Sequence, residues 1–312
     1  MAKKPYYGKL QDPSKPVLMT NSMARVFSDC ERKFVREYLE RREPDSDYEE
    51  PNYFAFGTTV HEILELSKHD ERLANFALIS QVCSENGLGD VDKAKVMAVL
   101  RSYFGLHLNA GLKPVAFEVR FQNDLTMGSV DLILANAQGQ WWICDVKTVG
   151  IKLDPSMKVK LQNDQQMNLY AAFHDVLAEK LGLDAFAFQG VRYREIEKPR
   201  ERVGKNETPL EFSHRLVNLP NPVAREIVLG LDDLNWQEVY QNFLGTLDRA
   251  RALQVQFLTD KAEGQANFNN CVKFGSPCPF YSGCYGSTYK AAKEKPVDET
   301  LPSNDSALLD LF

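Results

Sequence analysis

Three features of this 312-residue sequence predict an α/β protein whose strands lie between two helical regions. Apolar residues recur at helical spacing up to about residue 108. The period changes to two after Gly111 and Pro114, and helical spacing returns from about residue 162. Composition agrees, since 44% hydrophobic and 26% charged residues suit one large globular domain or two small ones.

Taken in order, Ser22 is placed to cap a helix with the apolar stripe Met23, Val26, Phe27, Cys30, Phe34 and Tyr38. Gly57-Thr58-Thr59-Val60-His61-Glu62-Ile63-Leu64 opens a second helix, and the patterns near 72–86 and 91–108 give two more. Val115 to Phe121 then alternates as a strand does. Met127 to Leu134 and Trp141 to Lys147 follow, joined by Asn136-Ala137-Gln138-Gly139, whose Asn and Gly tolerate positive φ, so the two runs read as a hairpin. Residues from about 162 to 182 are helical in spacing. Phe186 to Tyr193 and Phe212 to Val217 read as two further strands, and Trp236 to Phe257 as a long amphipathic helix. There is no internal repeat.

The hairpin carries the chemistry. Alternation puts Asp145 and Lys147 on one side of their strand and Trp142, Cys144 and Val146 on the other, and it sets Asp131 opposite Val130, Leu132 and Leu134. Two carboxylates converging on one point repel unless a cation lies between them. Alone, the spacing also fits ordinary acids on a solvated face, but strands this apolar are expected to be buried, where an acid needs a partner. Glu118, opposite Phe117 and Val119 by alternation, is either a further acid of the site or a solvent-facing residue, and it ranks below the two aspartates. In the helix that follows, Gln166 and Tyr170 share a face, with Gln162 one turn earlier. An amide and a phenol offer hydrogen bonds to phosphate or sugar without adding charge; Tyr170 equally fits a core aromatic.

Several classes are set aside. A net charge of −6 is unusual for binding nucleic acid over a broad basic surface, though it leaves room for a narrow channel. The basic clusters at Arg25, Arg32, Lys33, Arg36, Arg41 and Arg42, and at Arg192, Arg194, Lys198, Arg200, Arg202 and Lys205, fit either a solvated face or a phosphate track. With no signal-peptide pattern and no apolar run near the length of a membrane span, a cytoplasmic location is expected. No G-x₄-G-K-[ST] loop occurs, so no nucleotide-driven motor is encoded.

Four motifs in order, Gly57-Thr58-Thr59-Val60-His61-Glu62, Gly128-Ser129-Val130-Asp131, Asp145-Val146-Lys147-Thr148 and Gln166-Met167-Asn168-Leu169-Tyr170, resemble those of RecB/AddB-type nucleases in the PD-(D/E)xK superfamily. The resemblance implies a mixed sheet flanked by helices, with N-terminal helices and a C-terminal helical and iron–sulfur region. It also implies ligation of Mg²⁺ or Mn²⁺ by His61, Asp131, Asp145 and the carbonyl of Val146. Lys147 would position or help deprotonate the attacking water, and Gln166 and Tyr170 would contact the nucleic acid. Read alone, His61 beside Val60, Ile63 and Leu64 also fits a packed core histidine. The implied function is a metal-dependent DNA exonuclease on single strands or ends, in phage or prokaryotic recombination, repair or replication. The competing class is a non-catalytic DNA-binding or assembly subunit of the same fold.

Six cysteines in a chain expected to be cytosolic are not a disulfide framework. Cys271, Cys278 and Cys284 lie in a turn-rich loop, and a proline directly after Cys278 suits an iron–sulfur loop better than zinc, whose structural sites favour C-x₂-C pairs. Iron–sulfur nucleases of this superfamily have one cysteine before the core and three after it, which implies a 4Fe–4S cluster on Cys30, Cys271, Cys278 and Cys284, with structural zinc as the alternative. Cys271 is the least secure of the last three by spacing, Cys30 also fits a small core residue, and Cys83 and Cys144 read as core. The expected organisation is an arm over 1–20, one nuclease domain over 21–290 (helical part 21–110, catalytic core 111–220, C-terminal helical and cysteine-loop part 221–290), and a disordered tail over 291–312. The tail ends in Leu308-Leu309-Asp310-Leu311-Phe312, which resembles the short peptide that binds bacterial sliding clamps, although Leu308 stands where glutamine is usual. Folding back on its own domain is the other reading.

Overall fold

Five strands cross one sheet in chain order: β1 (Leu112–Gln122), β2 (Met127–Asn136), β3 (Trp141–Val149), β4 (Phe188–Glu197) and β5 (Ala224–Gly230). β1, β2 and β3 form an antiparallel meander, β4 runs parallel to β3, and β5 returns antiparallel to β4, so the sheet is mixed as expected. The computed structural model describes residues 12, 14–45, 53–106, 111–150, 154–218, 224–273 and 276–285. The terminal Leu308 to Phe312 segment, most of the N-terminal arm and the tail lie outside them.

Local chemistry explains each joint. Asn136 closes the β2–β3 turn: its Oδ1 accepts from the backbone N–H groups of Gln138 and Gln140, and Gly139 takes φ +80°. The parallel β3–β4 pair needs a crossover, supplied by α6 (Met157–Gln162), α7 (Gln165–Ala172) and α8 (His174–Leu181). Asp164 caps α7 by accepting from Gln166 N and Met167 N, and Gly182 ends α8 in a left-handed conformation.

Upstream lie α1 (Asn21–Asp29), α2 (Glu31–Phe34) continuing as a π-helical turn over Val35–Leu39, α3 (Tyr53–Leu66), α4 (Phe76–Glu85) and α5 (Asp90–Gly105). Two expectations change here. The first helix is capped by Thr20, whose Oγ1 accepts from Met23 N at 3.0 Å, so Ser22 lies inside the helix. Cys30 is not on a continuous stripe but is the extended residue at which α1 stops. Gly57 falls inside α3, where a Cβ would lie 3.3 Å from Thr148 Oγ1 on β3, so its small size serves the approach of helix to strand.

Downstream, Phe212 to Val217 is helical within α9 (Pro209–Asn218), not a strand. The reason lies just upstream, since Thr208 and Glu211 form a reciprocal cap: Thr208 N donates to Glu211 Oε2 and Glu211 N to Thr208 Oγ1. Phe212 and Leu216, four apart, both become buried. The missing strand is β5, which begins seven residues after Val217, and after it come α10 (Trp236–Asp260), the two-residue strands β6 (Val272–Lys273) and β7 (Ser276–Pro277), and α11 (Tyr281–Tyr285).

Each face of the sheet is buried. Trp141, Ile143, Val191, Tyr193 and Leu229 pack with α1, α7, α8 and α10, whereas Leu132, Leu134, Cys144, Val146 and Ile196 pack with α3, α4 and α5. Alternation fails beside the site: Phe117 and Val119, which should share a face, join opposite cores, and so do Val130 and Leu132 across from them. Glu118 between them takes φ +43°, which turns the strand over. No helix among the described residues is long and apolar enough to cross a membrane.

Gly190 sits in β4 at φ +133°, where a Cβ would fall 2.0 Å from the Leu229 carbonyl oxygen on β5. Gly190→Ala therefore has neither conformational nor steric room, and urea unfolding should show a loss of about 3 kcal/mol or more.

Candidate active site

β3 places Asp145 and Lys147 on the α7 side of the sheet, because Cys144 and Val146 occupy the other core. Asp145 is fully buried. Lys147 Nζ lies 2.9 Å from both of its carboxylate oxygens, hydrogen-bonding Oδ1, while Oδ2 receives no hydrogen bond. From α7, the buried Tyr170 hydroxyl donates to Asp145 Oδ1 at 3.1 Å, with the Ser129 carbonyl 3.3 Å away as an alternative acceptor, and itself accepts from Gln166 Nε2 at 2.7 Å. Gln166 and Tyr170 thus act as one unit, as their spacing suggested. Gln162 does not join them; it ends α6, beyond a break, and offers its carbonyl to Asn168 and Asn235.

The second half of the site stands on β1, β2 and α3. The β2–β3 pairing runs only as far as Leu132 opposite Cys144, and beyond it β3 pairs with β4 alone. At that fork the side chain of Asp131 takes over, its Oδ2 accepting from Val146 N at 2.8 Å. Its Oδ1 lies 3.7 Å from His61 Nδ1. Among the described residues, His61, Glu118 and Asp131 form a group whose ligand atoms all lie within 4.8 Å of one another. Glu118 is brought there by register, which sets it across from Asp131 between the Phe117–Leu132 and Val119–Val130 pairs. Its sequence signal was only an acid on the neighbouring strand, and the positive φ that fixes it has no signature in the sequence.

Electrostatics follow from this crowding. Burial pushes the Asp145 carboxyl above its usual range and Asp131 adds to the rise, while Lys147 opposes it. For Lys147, burial works downward but the fields of Asp145 and Asp131 outweigh it, so the ammonium is held. Tyr170 is raised well above an ordinary phenol by burial and then by the two aspartates, so it remains an O–H donor.

Behind the site runs a polar chain that sequence reasoning missed. His69 stacks on Phe117 and its Nδ1 lies 2.6 Å from the Tyr103 hydroxyl, which accepts from Arg194 Nη1 at 2.9 Å. Burial brings His69 down to about 4, against the opposing field of Asp131, so the ring is neutral near pH 7. Arg194 and Arg192 both pair with Glu226 on β5. These partners are up to ninety residues apart, beyond any local pattern. Within this basic cluster Arg192 and Arg194 are tied to an acid, Lys198 pairs with Asp92 over the Phe56 ring, and Arg200 pairs with Glu197. In the first cluster Arg36 is buried and Arg32 faces Glu263.

Two of the four grouped cysteines, Cys30 and Cys271, meet the backbone of Asn267. Cys30 Sγ lies 3.4 Å from Asn267 N, and Cys278 feels the charge of both Cys271 and Cys30, although burial is what chiefly raises its thiol. Cys278 N donates to the Cys271 carbonyl. Cys284 Sγ accepts from Arg36 Nη1 at 3.2 Å, and the same guanidinium donates to the carbonyls of Phe280 and Gly283. Cys83 and Cys144 are buried in the core, as expected.

A family model described as the PD-(D/E)XK nuclease superfamily matches residues 19–285. Among solved structures, a Eubacterium rectale protein assigned as an exonuclease is similar at 13% identity and a TM-score of 0.48, over 90% of each chain. A phage-related exonuclease of Haemophilus somnus 129PT is similar at 10% identity and a TM-score of 0.30, over 65% of this chain and 95% of that one. None of the curated proteins matches.

Tyr170→Phe removes the donor to Asp145 and the acceptor for Gln166 while keeping the ring. Denaturant unfolding should register a loss of about 1–2 kcal/mol, and a variant as stable as the parent would mean that these bonds do not form.

Proposed function

Because the chain belongs to the PD-(D/E)XK nuclease superfamily, we propose that it is a metal-dependent deoxyribonuclease acting as an exonuclease on single strands or DNA ends. The observation that carries this reading is the buried Asp145, paired with Lys147 beside the His61, Glu118 and Asp131 group. An acid desolvated in this way, with one oxygen left without a hydrogen bond, fits a cation site, and an imidazole with carboxylates suits Mg²⁺ or, better, Mn²⁺. His61, Glu118, Asp131, Asp145 and the Val146 carbonyl would hold the ion. A bound divalent cation supplies a lowered pKa for water and neutralises charge on the phosphate.

The remaining work falls to this chain's own groups. Lys147, held as an ammonium, donates to the attacking water or to a phosphate oxygen and keeps both in line with Asp145. Tyr170 fixes the rotamer of Asp145, and Gln166 orients Tyr170 and offers its amide to the strand.

Cys30, Cys271, Cys278 and Cys284 would hold a 4Fe–4S cluster, or zinc, as a structural clasp. Supporting this are the contacts of Cys30 and Cys271 with the backbone of Asn267 and the hydrogen bond from Arg36 to Cys284 Sγ.

With an end-labelled oligonucleotide and Mg²⁺ or Mn²⁺, the wild type should release nucleotides, EDTA should stop it, and Asp145→Ala should lower the rate at least about 10³-fold. Absence of metal-dependent cleavage would leave the non-catalytic subunit as the better reading. Covalently closed circles and ribonucleotide strands in the same assay separate endonuclease and ribonuclease activity. For the clasp, Cys278→Ala should lose bound iron and melt at lower temperature than the wild type. A purified wild type free of iron and zinc, with an unchanged melting temperature in the variant, would refute it.

A further inference from the structure

The face of the sheet that carries the catalytic pair extends beyond it. β4 sets Tyr193 beside Asp145 and Glu195 beside Lys147, and β5 sets Arg225 beside Glu195. Lys147, Glu195 and Arg225 therefore form one row across three strands, with the Arg225 backbone about 10 Å from that of Lys147. Glu195 is 1% exposed, and its Oε2 accepts from Arg225 Nε at 2.9 Å and Nη2 at 2.7 Å. That bond uses one edge of the guanidinium. Its Nη1 has no hydrogen bond among the described residues, and the Arg225 side chain is 25% exposed against 2% for Glu195.

We propose that Arg225 binds a backbone phosphate adjacent to the one at Lys147, with Glu195 as the positioning residue that holds its guanidinium; this inference rests on the nuclease reading above. The two other arginines near this row, Arg192 and Arg194, lie on the opposite face and both pair with Glu226. An arginine gripped along one edge by a buried carboxylate and open at its remaining nitrogen is prepared for a phosphate oxygen, because the ordering cost is met within the fold. In a chain of net charge −6, attraction for a strand has to come from a few placed cations.

The test is equilibrium binding of a fluorescent single-stranded DNA oligonucleotide to the full chain in EDTA, read by anisotropy over a series of salt concentrations. Arg225→Gln should weaken binding roughly tenfold and flatten the plot of log affinity against log salt by about 0.7, the share of one phosphate contact on a single strand. Since Arg225→Gln strands a buried carboxylate, the double variant Glu195→Gln with Arg225→Gln is measured beside it. The double variant replaces the ion pair by two amides and should show the same loss. Wild-type affinity and slope in the double variant would overturn the contact and assign Arg225 to the fold alone. A wild type that binds with the steeper slope yet cuts nothing in Mg²⁺ or Mn²⁺ removes the nuclease reading and keeps the contact. A wild type that does not bind the strand removes both.

Discussion

A carboxylate taken out of water has to be compensated, and the arrangement around Asp145 is how this fold does it. Lys147 is close because residues two apart on a strand share a face. Tyr170 is close because α7 packs on that face, started by the Asp164 cap and pressed down by α10. The other half of the site hangs on the same strand by one bond, from Val146 N–H to Asp131. Residues of β1, β2 and α3 therefore gather around Asp131 and those of β3 and α7 around Asp145, and each is held by the chemistry of its neighbour as well as by its own element.

Much of this was legible in the sequence, because a hairpin with a strong period and a marked turn fixes its own register. Asp145 and Lys147 follow from alternation and Gln166 and Tyr170 from helical spacing, whereas Asp131 lies where alternation breaks between Val130 and Leu132. Three things were not legible, each for a physical reason. Phe212 to Val217 reads as a short strand, but the Thr208 and Glu211 cap commits it to a helix on which Phe212 and Leu216 share the buried face. Cys30 fits an apolar stripe, but extended backbone interrupts the helix there. Glu118 departs from alternation through one left-handed residue, and an acidic side chain gives no warning of positive φ.

The two faces of β4 divide the labour. Its odd positions, Val191, Tyr193 and Glu195, face α7 and the site, whereas Arg192, Arg194 and Ile196 face α5. Basic residues that look equivalent in sequence thus have different employment. Those turned toward α5 are consumed by Glu226 and Tyr103 and hold the sheet to the helix behind it, with the chain continuing to His69 next to Phe117. Arg225, on the site face of the neighbouring strand, is bound along one edge by Glu195.

The grip of Arg36 on the carbonyls of Phe280 and Gly283 joins parts of the chain 244 and 247 residues apart. Contacts of such separation carry the largest loop-closure cost and form late, while the β1–β2–β3 meander is built from near neighbours. During synthesis the acidic hairpin is therefore free to pair long before the first helices receive their final partner, which leaves the ribosome among the last segments of the domain. A chain truncated before residue 280 would keep the acidic hairpin and the packing of α1 against α7 and α10 but lose the carbonyls that hold Arg36.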